Sequence, residues 1–352
     1  MNPNSLLLTM VMVCHHQWDI ESPDPAQPIA VGIMGTGYAA KIRATVLGEN
    51  PQWRVVGLAG RDRDRTEALG TDLGVTAYSP EDLLAQPGLD LVVVTTVNAN
   101  HGHWVRSALE RGLHVVVDYP LCLDLAEAKE LMALAQRQRR LLHVEHIELL
   151  GGLHQSLKAH LGSIGTPRFV RYGTLSVDRP APDRWTYRRS QFGFPFIGAL
   201  SRIHRLTDAF GPVASVSCQA QFWPLPAPGS PPDDRFRTCL CTAQLFFTSG
   251  VLATVTYGKG EALWRAERYL DVQGDGGALR FEGDEGTLIT AAGETPIAVA
   301  GRRGLFAQDS QGVLDLLRHN KPLYVQPQAS LYALTVADAA RRSAETGQVQ
   351  VL

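Results

Sequence analysis

Residues 29–40 read IAVGIMGTGYAA. The apolar run Ile29 to Met34 leads straight into Gly35-Thr36-Gly37, and a small residue, Ala40, follows three positions on. A buried strand, a G-x-G-x-x-A turn and the start of a helix make the dinucleotide-binding fingerprint. The first glycine permits the tight turn, and the second lets the backbone approach a pyrophosphate. The small third residue lets helix and strand pack closely. Unpaired N–H groups at the helix N-terminus, helped by the helix dipole, then hold the pyrophosphate. Gly35, Thr36, Gly37, Tyr38 and Ala39 are assigned to the cofactor on this basis. Glycines also mark ordinary turns; the strand and helix on either side favour the cofactor loop.

Outward from this turn, strand and helix signals alternate as a doubly wound sheet requires. WRVVGLAG (53–60), DLVVVTT (90–96), LHVVVDYP (113–120) and LLHVEH (141–146) read as strands. HWVRSALERG and DLAEAKELMALAQRQ read as helices, the latter capped by Asp124. Near-continuous Val/Ile/Leu strands imply burial on both faces and hence a parallel sheet. After about residue 150 strand-like segments follow one another from RFVRYGTLSV (168–177) to GTLITAA (286–292), with short Gly/Asp/Ser turns and one helix at about 195–210. That pattern predicts an antiparallel sheet. A proline-rich excursion, PLPAPGSPPDD (224–234), interrupts it, and a last helix is expected near 329–346. The expected fold class is α/β: an N-terminal Rossmann domain and a C-terminal α+β domain with a large, mainly antiparallel sheet. The expected organisation is a flexible leader (1–28), an NAD(P)-binding domain (29–146) and a substrate-binding domain (147–352) whose last helix returns to either.

Composition excludes several function classes. At 352 residues the chain is long enough for two domains with proper cores. A formal net charge of −2 gives no reason to expect a nucleic-acid or membrane-surface binder. No apolar stretch reaches transmembrane length. LLLTMVMVC (6–14) lacks a preceding basic residue and a good cleavage site, so a disordered leader is favoured over a signal peptide. Five cysteines form no C-x-x-C and leave one unpaired, which fits buried thiols in a reducing cytoplasm.

An NAD-preferring site usually carries an acid at the end of the second strand. Here Gly60 is followed by Arg61, which suits a 2′-phosphate clamp and favours NADPH over NADH. A solvated arginine is the bland alternative, because Arg63 and Arg65 follow. Thr95-Thr96-Val97-Asn98, with His101 opening the next helix, lies where a parallel strand ends near the switch point. Thr96, Asn98 and His101 join the cofactor set.

This order of elements, G-x-G-x-x-A, then T-x-N-x-x-H, then a strand ending in an acid-x-Pro triplet, resembles the Gfo/Idh/MocA oxidoreductases, mostly sugar and inositol dehydrogenases. Their Glu-Lys-Pro motif handles a hydroxyl proton through its lysine. This chain has Asp118-Tyr119-Pro120 instead. Their Asp-x-Gly-x-His-x-x-Asp helix has its nearest counterpart in Ser201 to Asp208, where the histidine falls on Arg205 and His204 is one position out of register. The resemblance therefore implies a kept scaffold and a lost polyol chemistry. HVEHIELLGGLHQ (143–155), RWTY (184–187), QFGFP (191–195), ALSRI (199–203), YGKGE (257–261), RRGLF (302–306) and KPLYV (321–325) together resemble the cyanobacterial-type biliverdin reductase branch. That resemblance covers residue 29 to the C-terminus. It implies hydride transfer from NADPH to the central methine carbon of biliverdin, with protonation of a pyrrole nitrogen. It places Arg202 in the catalytic pocket. The branch's usual Glu before Tyr-Pro is Asp118 here, one carbon shorter.

The residues suit such a substrate independently. Biliverdin is flat and apolar with two propionates, and guanidinium forks both pair with carboxylates and stack on π-faces. RWTYRR and QFGFPF interleave arginines with Trp185, Tyr187, Phe192, Phe194 and Phe196. Arg202, Asp118 and Tyr119 are the expected catalytic groups, with Asp118 also beside the cofactor. His146, Arg184, Arg188, Phe192, Arg202 and Arg205 are the expected substrate contacts. Aromatic-plus-arginine stretches also suit single-stranded nucleic acid, and the near-neutral charge argues against it. His143, Glu145, His146 and Glu148 invite a metal reading, yet on a strand His146 points away from His143 and Glu145, so no metal is expected. Two other function classes stay open: a catalytically silent NAD(P)H- or bilin-binding protein, and a divergent sugar dehydrogenase.

Overall fold

The computed structural model describes residues 19–225 and 233–352. Most of the proline-rich excursion and of the leader lies outside the described residues. Residues 19–28, expected to be flexible, are tied down: Glu21 pairs with Arg140 at 2.7 Å, and Arg318 donates to the carbonyls of Pro23, Asp24 and Gln27.

Six strands, β1 (Ile29–Met34), β2 (Trp53–Ala59), β3 (Thr76–Tyr78), β4 (Leu91–Val94), β5 (His114–Asp118) and β6 (Leu142–Glu145), form a parallel sheet in the order β3-β2-β1-β4-β5-β6. The order reverses between β1 and β4, the switch point at which ligands bind in open α/β sheets. Helices α1 (Tyr38–Gly48), α2 (Arg63–Leu73), α3 (Pro80–Leu84), α4 (Asn98–Glu110) and α5 (Leu125–Arg137) connect the strands. Every residue of β1 and β4 is buried, which is what continuous apolar strands in a two-sided sheet should show.

The second sheet has nine strands in the order β14-β13-β12-β11-β7-β10-β9-β8-β15. They are β7 (Pro167–Val177), β8 (Val213–Trp223), β9 (Thr238–Phe247), β10 (Leu252–Gly260), β11 (Glu267–Gly274), β12 (Gly277–Glu282), β13 (Glu285–Thr290), β14 (Gly293–Ala298) and β15 (Gln350–Val351). All neighbours are antiparallel except β7 and β10. After β6 comes α6 (Gly152–His160). The single helix expected at 195–210 is two pieces, α8 (Pro195–Gly198) and α9 (Ser201–Phe210), and a short α7 (Arg189–Phe192) precedes them. These lie between the sheets, where Phe192, Phe196, Ile203 and Leu206 belong to one continuous core shared with Val94 and Val117 of the first sheet and Val255 of the second.

Two helices return to the first domain. α10 (Leu305–His319), which the sequence reading did not anticipate, inserts Val313, Leu314, Leu316 and Leu317 against Ile29, Ile33 and Leu47 on the α1 side of the sheet. α11 (Pro327–Thr346) packs on α5 and β6 as well as on β8 and α9, touching both domains. Among the described residues no helix is long and apolar enough to cross a membrane.

Candidate active site

The cofactor end is built from the turns after β1, β2 and β4. Gly35 sits at φ +141°, and a Cβ there would strike Thr95, so the turn needs glycine. A Cβ on Gly37 would meet nothing within 4 Å, which leaves open space over the start of α1. That helix begins on Gly37 with no side-chain cap and no acid in its first turn, so its leading N–H groups are unspent. Thr36 and Ala39 flank the space half-buried, and Tyr38 is exposed above it. Gly60 lies against the turn, since a Cβ there would come within 2.6 Å of the Thr36 methyl. Arg61 is exposed and has no ion-pair partner among the described residues, whereas Arg63 is engaged by Glu67 and Asp62 caps α2. These features fit a dinucleotide pyrophosphate on α1 and a phosphorylated ribose beside Arg61.

The β5 end supplies Asp118 and Tyr119. Asp118 pairs in register with Glu145 at the end of β6, and its carboxylate lies 3.8 Å from Arg43, a buried residue of α1. Burial pushes the Asp118 carboxyl up to about 6; the Arg43 cation opposes the rise and the Asp309 carboxylate adds to it. Asp309, on α10, is held by Arg43, by His143 at 2.7 Å and by the Tyr324 hydroxyl at 2.8 Å. Burial, aided by Asp118, also drives the Glu145 carboxyl well above its ordinary range. Tyr119 lies parallel to the His146 ring at 5.4 Å, and burial raises its phenol to about 12.

The second domain brings Arg202 to this point from the first turn of α9. Its guanidinium donates to Ser201 Oγ at 2.9 Å, and Ser201 shares a further hydrogen bond with Tyr119. The guanidinium also lies 5.4 Å from the Tyr257 ring, and its Nε has no partner in the protein. Burial opposes the charge, but Tyr172, Tyr119, Tyr257 and Glu148 outweigh it, so Arg202 stays a cation. Phe192 stacks on Tyr257 at 6.3 Å, and its carbonyl accepts from Asn98 Nδ2 at 3.0 Å. The switch-point turn and the aromatic wall are thereby joined.

Several expected contacts have other jobs. His101, expected at the cofactor, is buried with its ring nitrogens on the Pro120 and Thr96 carbonyls at 2.8 and 3.1 Å, so it fixes the two turns instead. Asn98 spends its amide on Phe192, leaving only its oxygen side for a ligand. His146, expected at the substrate, is buried behind Tyr119 and bonded to Ser330 at 2.9 Å. Arg205 is 2% exposed and spent on Glu148 and the Tyr172 hydroxyl, so it cannot anchor a propionate. Arg184 is exposed with no ion-pair partner among the described residues; Arg188 is shared between Asp183 at 3.0 Å and Asp234 at 4.0 Å.

Arg43 and Lys259 went unnoticed in the sequence. The signals were there. Arg43 stands in the apolar stripe Ala40, Ala44, Leu47 of α1, and Lys259 shares a strand face with buried Tyr257.

A model of the Gfo/Idh/MocA oxidoreductases, NAD-binding Rossmann fold, matches residues 29–146, and the model of that family's C-terminal alpha/beta domain matches residues 158–351. The chain belongs to the Gfo/Idh/MocA oxidoreductase family. It is an NAD(P)H-dependent oxidoreductase. Among Gfo/Idh/MocA proteins it resembles, the crystal structure of biliverdin reductase from Synechocystis, in complex with biliverdin and NADP+, is 47% identical with a TM-score of 0.86, covering 90% of this chain and 99% of that one. Biliverdin reductase A of mouse is 30% identical over 196 residues, 56% of this chain and 63% of the mouse protein. The match thus spans less than two thirds of the mouse protein's length. The uncharacterized oxidoreductase YdgJ of Escherichia coli is 30% identical over 322 residues, 80% of this chain and 90% of its own.

Proposed function

We propose that this oxidoreductase reduces biliverdin to bilirubin with NADPH. The observation that carries the reading is Arg202: a half-buried, permanently charged guanidinium with an unpartnered Nε, set between Tyr119 and Tyr257 where the cofactor turns meet an aromatic wall. The likeness to a reductase solved with biliverdin and NADP+ supports it. So does the loss of the polyol chemistry's groups, since Tyr119 is a phenol held near 12 and Arg205 is locked in an ion pair.

On this reading the turn at Gly35–Ala39 holds the pyrophosphate, and Arg61 clamps the 2′-phosphate. Bound there, NADPH supplies a hydride for the central methine carbon of the bilin. Phe192 and Tyr257, both buried, back the site as an aromatic wall, and exposed Arg184 is free for a propionate. Arg202 stabilises the negative charge that develops on the adjoining pyrrole rings. Asp118, titrating near 6, lies on the cofactor side and changes charge within the working pH range. Four described cysteines are free, buried thiols, which suits a reducing cytoplasm.

Mixing protein, NADPH and biliverdin should turn the solution from green to yellow. Arg202→Ala should lower kcat by about 10²–10³ with NADPH binding intact, and Arg202→Lys should recover only part of that. A wild type that leaves biliverdin unchanged, or that reduces NADP+ with polyols, overturns the reading. A variant in which only the KM for biliverdin rises demotes Arg202 to an anchor.

A further inference from the structure

Lys259, on β10, is 6% exposed, and no carboxylate pairs with it among the described residues. Its ammonium donates to the Thr186 carbonyl and lies over three aromatic rings, 3.8 Å from the centre of Phe192, 4.7 Å from Tyr187 and 5.5 Å from Phe236. The carbonyl and two of the rings belong to the segment 184–196, and Phe236 N is bonded to the Tyr187 carbonyl at 3.0 Å. A cation in such a cage is held by π-faces in place of a counter-ion. A methionine would fill the same space without the desolvation cost of an ammonium, so packing alone does not explain a lysine here. The cage does have a consequence. Phe192 is fixed at its carbonyl by Asn98 of the cofactor domain and at its ring by Lys259 of the second sheet. The Phe192 ring in turn stacks on Tyr257, which faces Arg202.

We infer that Lys259 is a positioning residue whose charge clamps the segment 184–196, so that its arginines and the half-buried Trp185 and Phe194 meet the flat substrate already in place. The identity of that substrate rests on the bilin reading; the clamp does not. Burial lowers the Lys259 ammonium to about 8. The groups facing it are Asp178 beyond β7, which favours its charge, Cys239 of β9, which would favour it only as a thiolate, Arg202 of α9, which opposes it, and the phenols of Tyr187 and Tyr257. Cys239 is itself raised to about 11 and both phenols are pushed up further by burial, so these three stay neutral where Lys259 loses its proton. Above pH 8 the neutral amine keeps a weak hydrogen bond and loses its attraction to the rings. The segment should then loosen, while the pyrophosphate turn at Gly35–Ala39, which belongs to the other sheet, is expected to hold.

The test compares wild type, Lys259→Met and Lys259→Arg from pH 6.5 to 9.5. In wild type the KM for biliverdin should rise about three- to thirty-fold above pH 8, with NADPH affinity flat. Lys259→Met should show the high KM throughout, and Lys259→Arg a low KM that stays flat, because its charge persists. Amide exchange of residues 184–196 in the NADPH-bound, bilin-free protein gives a second readout, with Lys259→Arg at the same pH as reference: wild type should lose protection above pH 8. A Lys259→Met protein with wild-type KM and protection overturns the clamp, as does an arginine variant whose alkaline rise persists. Should Lys259→Met fail to bind NADPH, as an unfolded chain would, wild type against Lys259→Arg still decides. A wild type that does not reduce biliverdin refutes the bilin reading, and the exchange comparison still judges the clamp.

Discussion

Arg61 and Arg205 carry the same side chain into opposite situations. Arg205 is enclosed with Glu148 and Tyr172, whereas Arg61 is exposed at the end of β2 without an ion-pair partner among the described residues. A guanidinium kept free beside a dinucleotide turn can fork onto a 2′-phosphate, and that contact exists only with NADPH. Arg61→Ala should therefore weaken NADPH by about ten- to a hundred-fold and barely change NADH. Steady-state KM values for the two cofactors check this, and an unchanged KM for NADPH would make Arg61 merely solvated. The type and spacing of arginines were legible in the sequence. Which of them a carboxylate from another element would consume was not, because Glu148 lies 57 residues from Arg205 in the chain and only the fold brings them together.

At the scale of elements, legibility followed periodicity. The all-apolar β1 and β4 and the alternating β9 and β10 declare themselves, because a two-residue period survives any surroundings. β14, GETPIA, is almost wholly exposed at the sheet edge and carries a proline, so no burial pattern marks it. α9 was found as a helix, but its role depends on which neighbours receive each face. Arg202 looks into the cleft, while His204 faces the His146 ring at 4.0 Å with both ring nitrogens lacking partners. Burial lowers the His204 imidazole to about 4, against an unfolded value near 6.5. Above pH 6.5 the ring is neutral in both states. As pH falls from 6.5 toward 4 the unfolded chain takes up a proton that the folded chain refuses, so folding loses stability, by up to about 3 kcal/mol from this group. Denaturant titrations of wild type and His204→Gln should therefore show wild type losing ground relative to the variant over that range. Parallel pH profiles would mean that His204 does not titrate as a buried neutral ring.

For the whole molecule, the division into a cofactor half and a substrate half stops short at α10. This helix follows the second sheet in sequence, yet its leucines complete the core on the α1 face of the first sheet, and its Asp309 enters a buried set with Arg43, His143 and Tyr324. Removing one member of a buried ion pair leaves an uncompensated charge, so Asp309→Asn should cost about 3–5 kcal/mol. Arg43→Met combined with Asp309→Leu should cost less than the sum of its two single changes, because the pair is removed together, although Asp118 then loses its cation. The same substitution should reach the candidate site. Asp309 raises the Asp118 carboxyl by repulsion and also draws on Arg43, whose cation already lowers it. Without the Asp309 charge, Asp118 should hold its proton less tightly and titrate below its present value of about 6. Any limb of the kcat profile near pH 6 that belongs to Asp118 should then move toward acid in Asp309→Asn, while the alkaline rise in the KM for biliverdin governed by Lys259 stays where it is. A profile unmoved at the acid end would separate Asp118 from the buried carboxylates behind it, and α10 would be a structural brace alone.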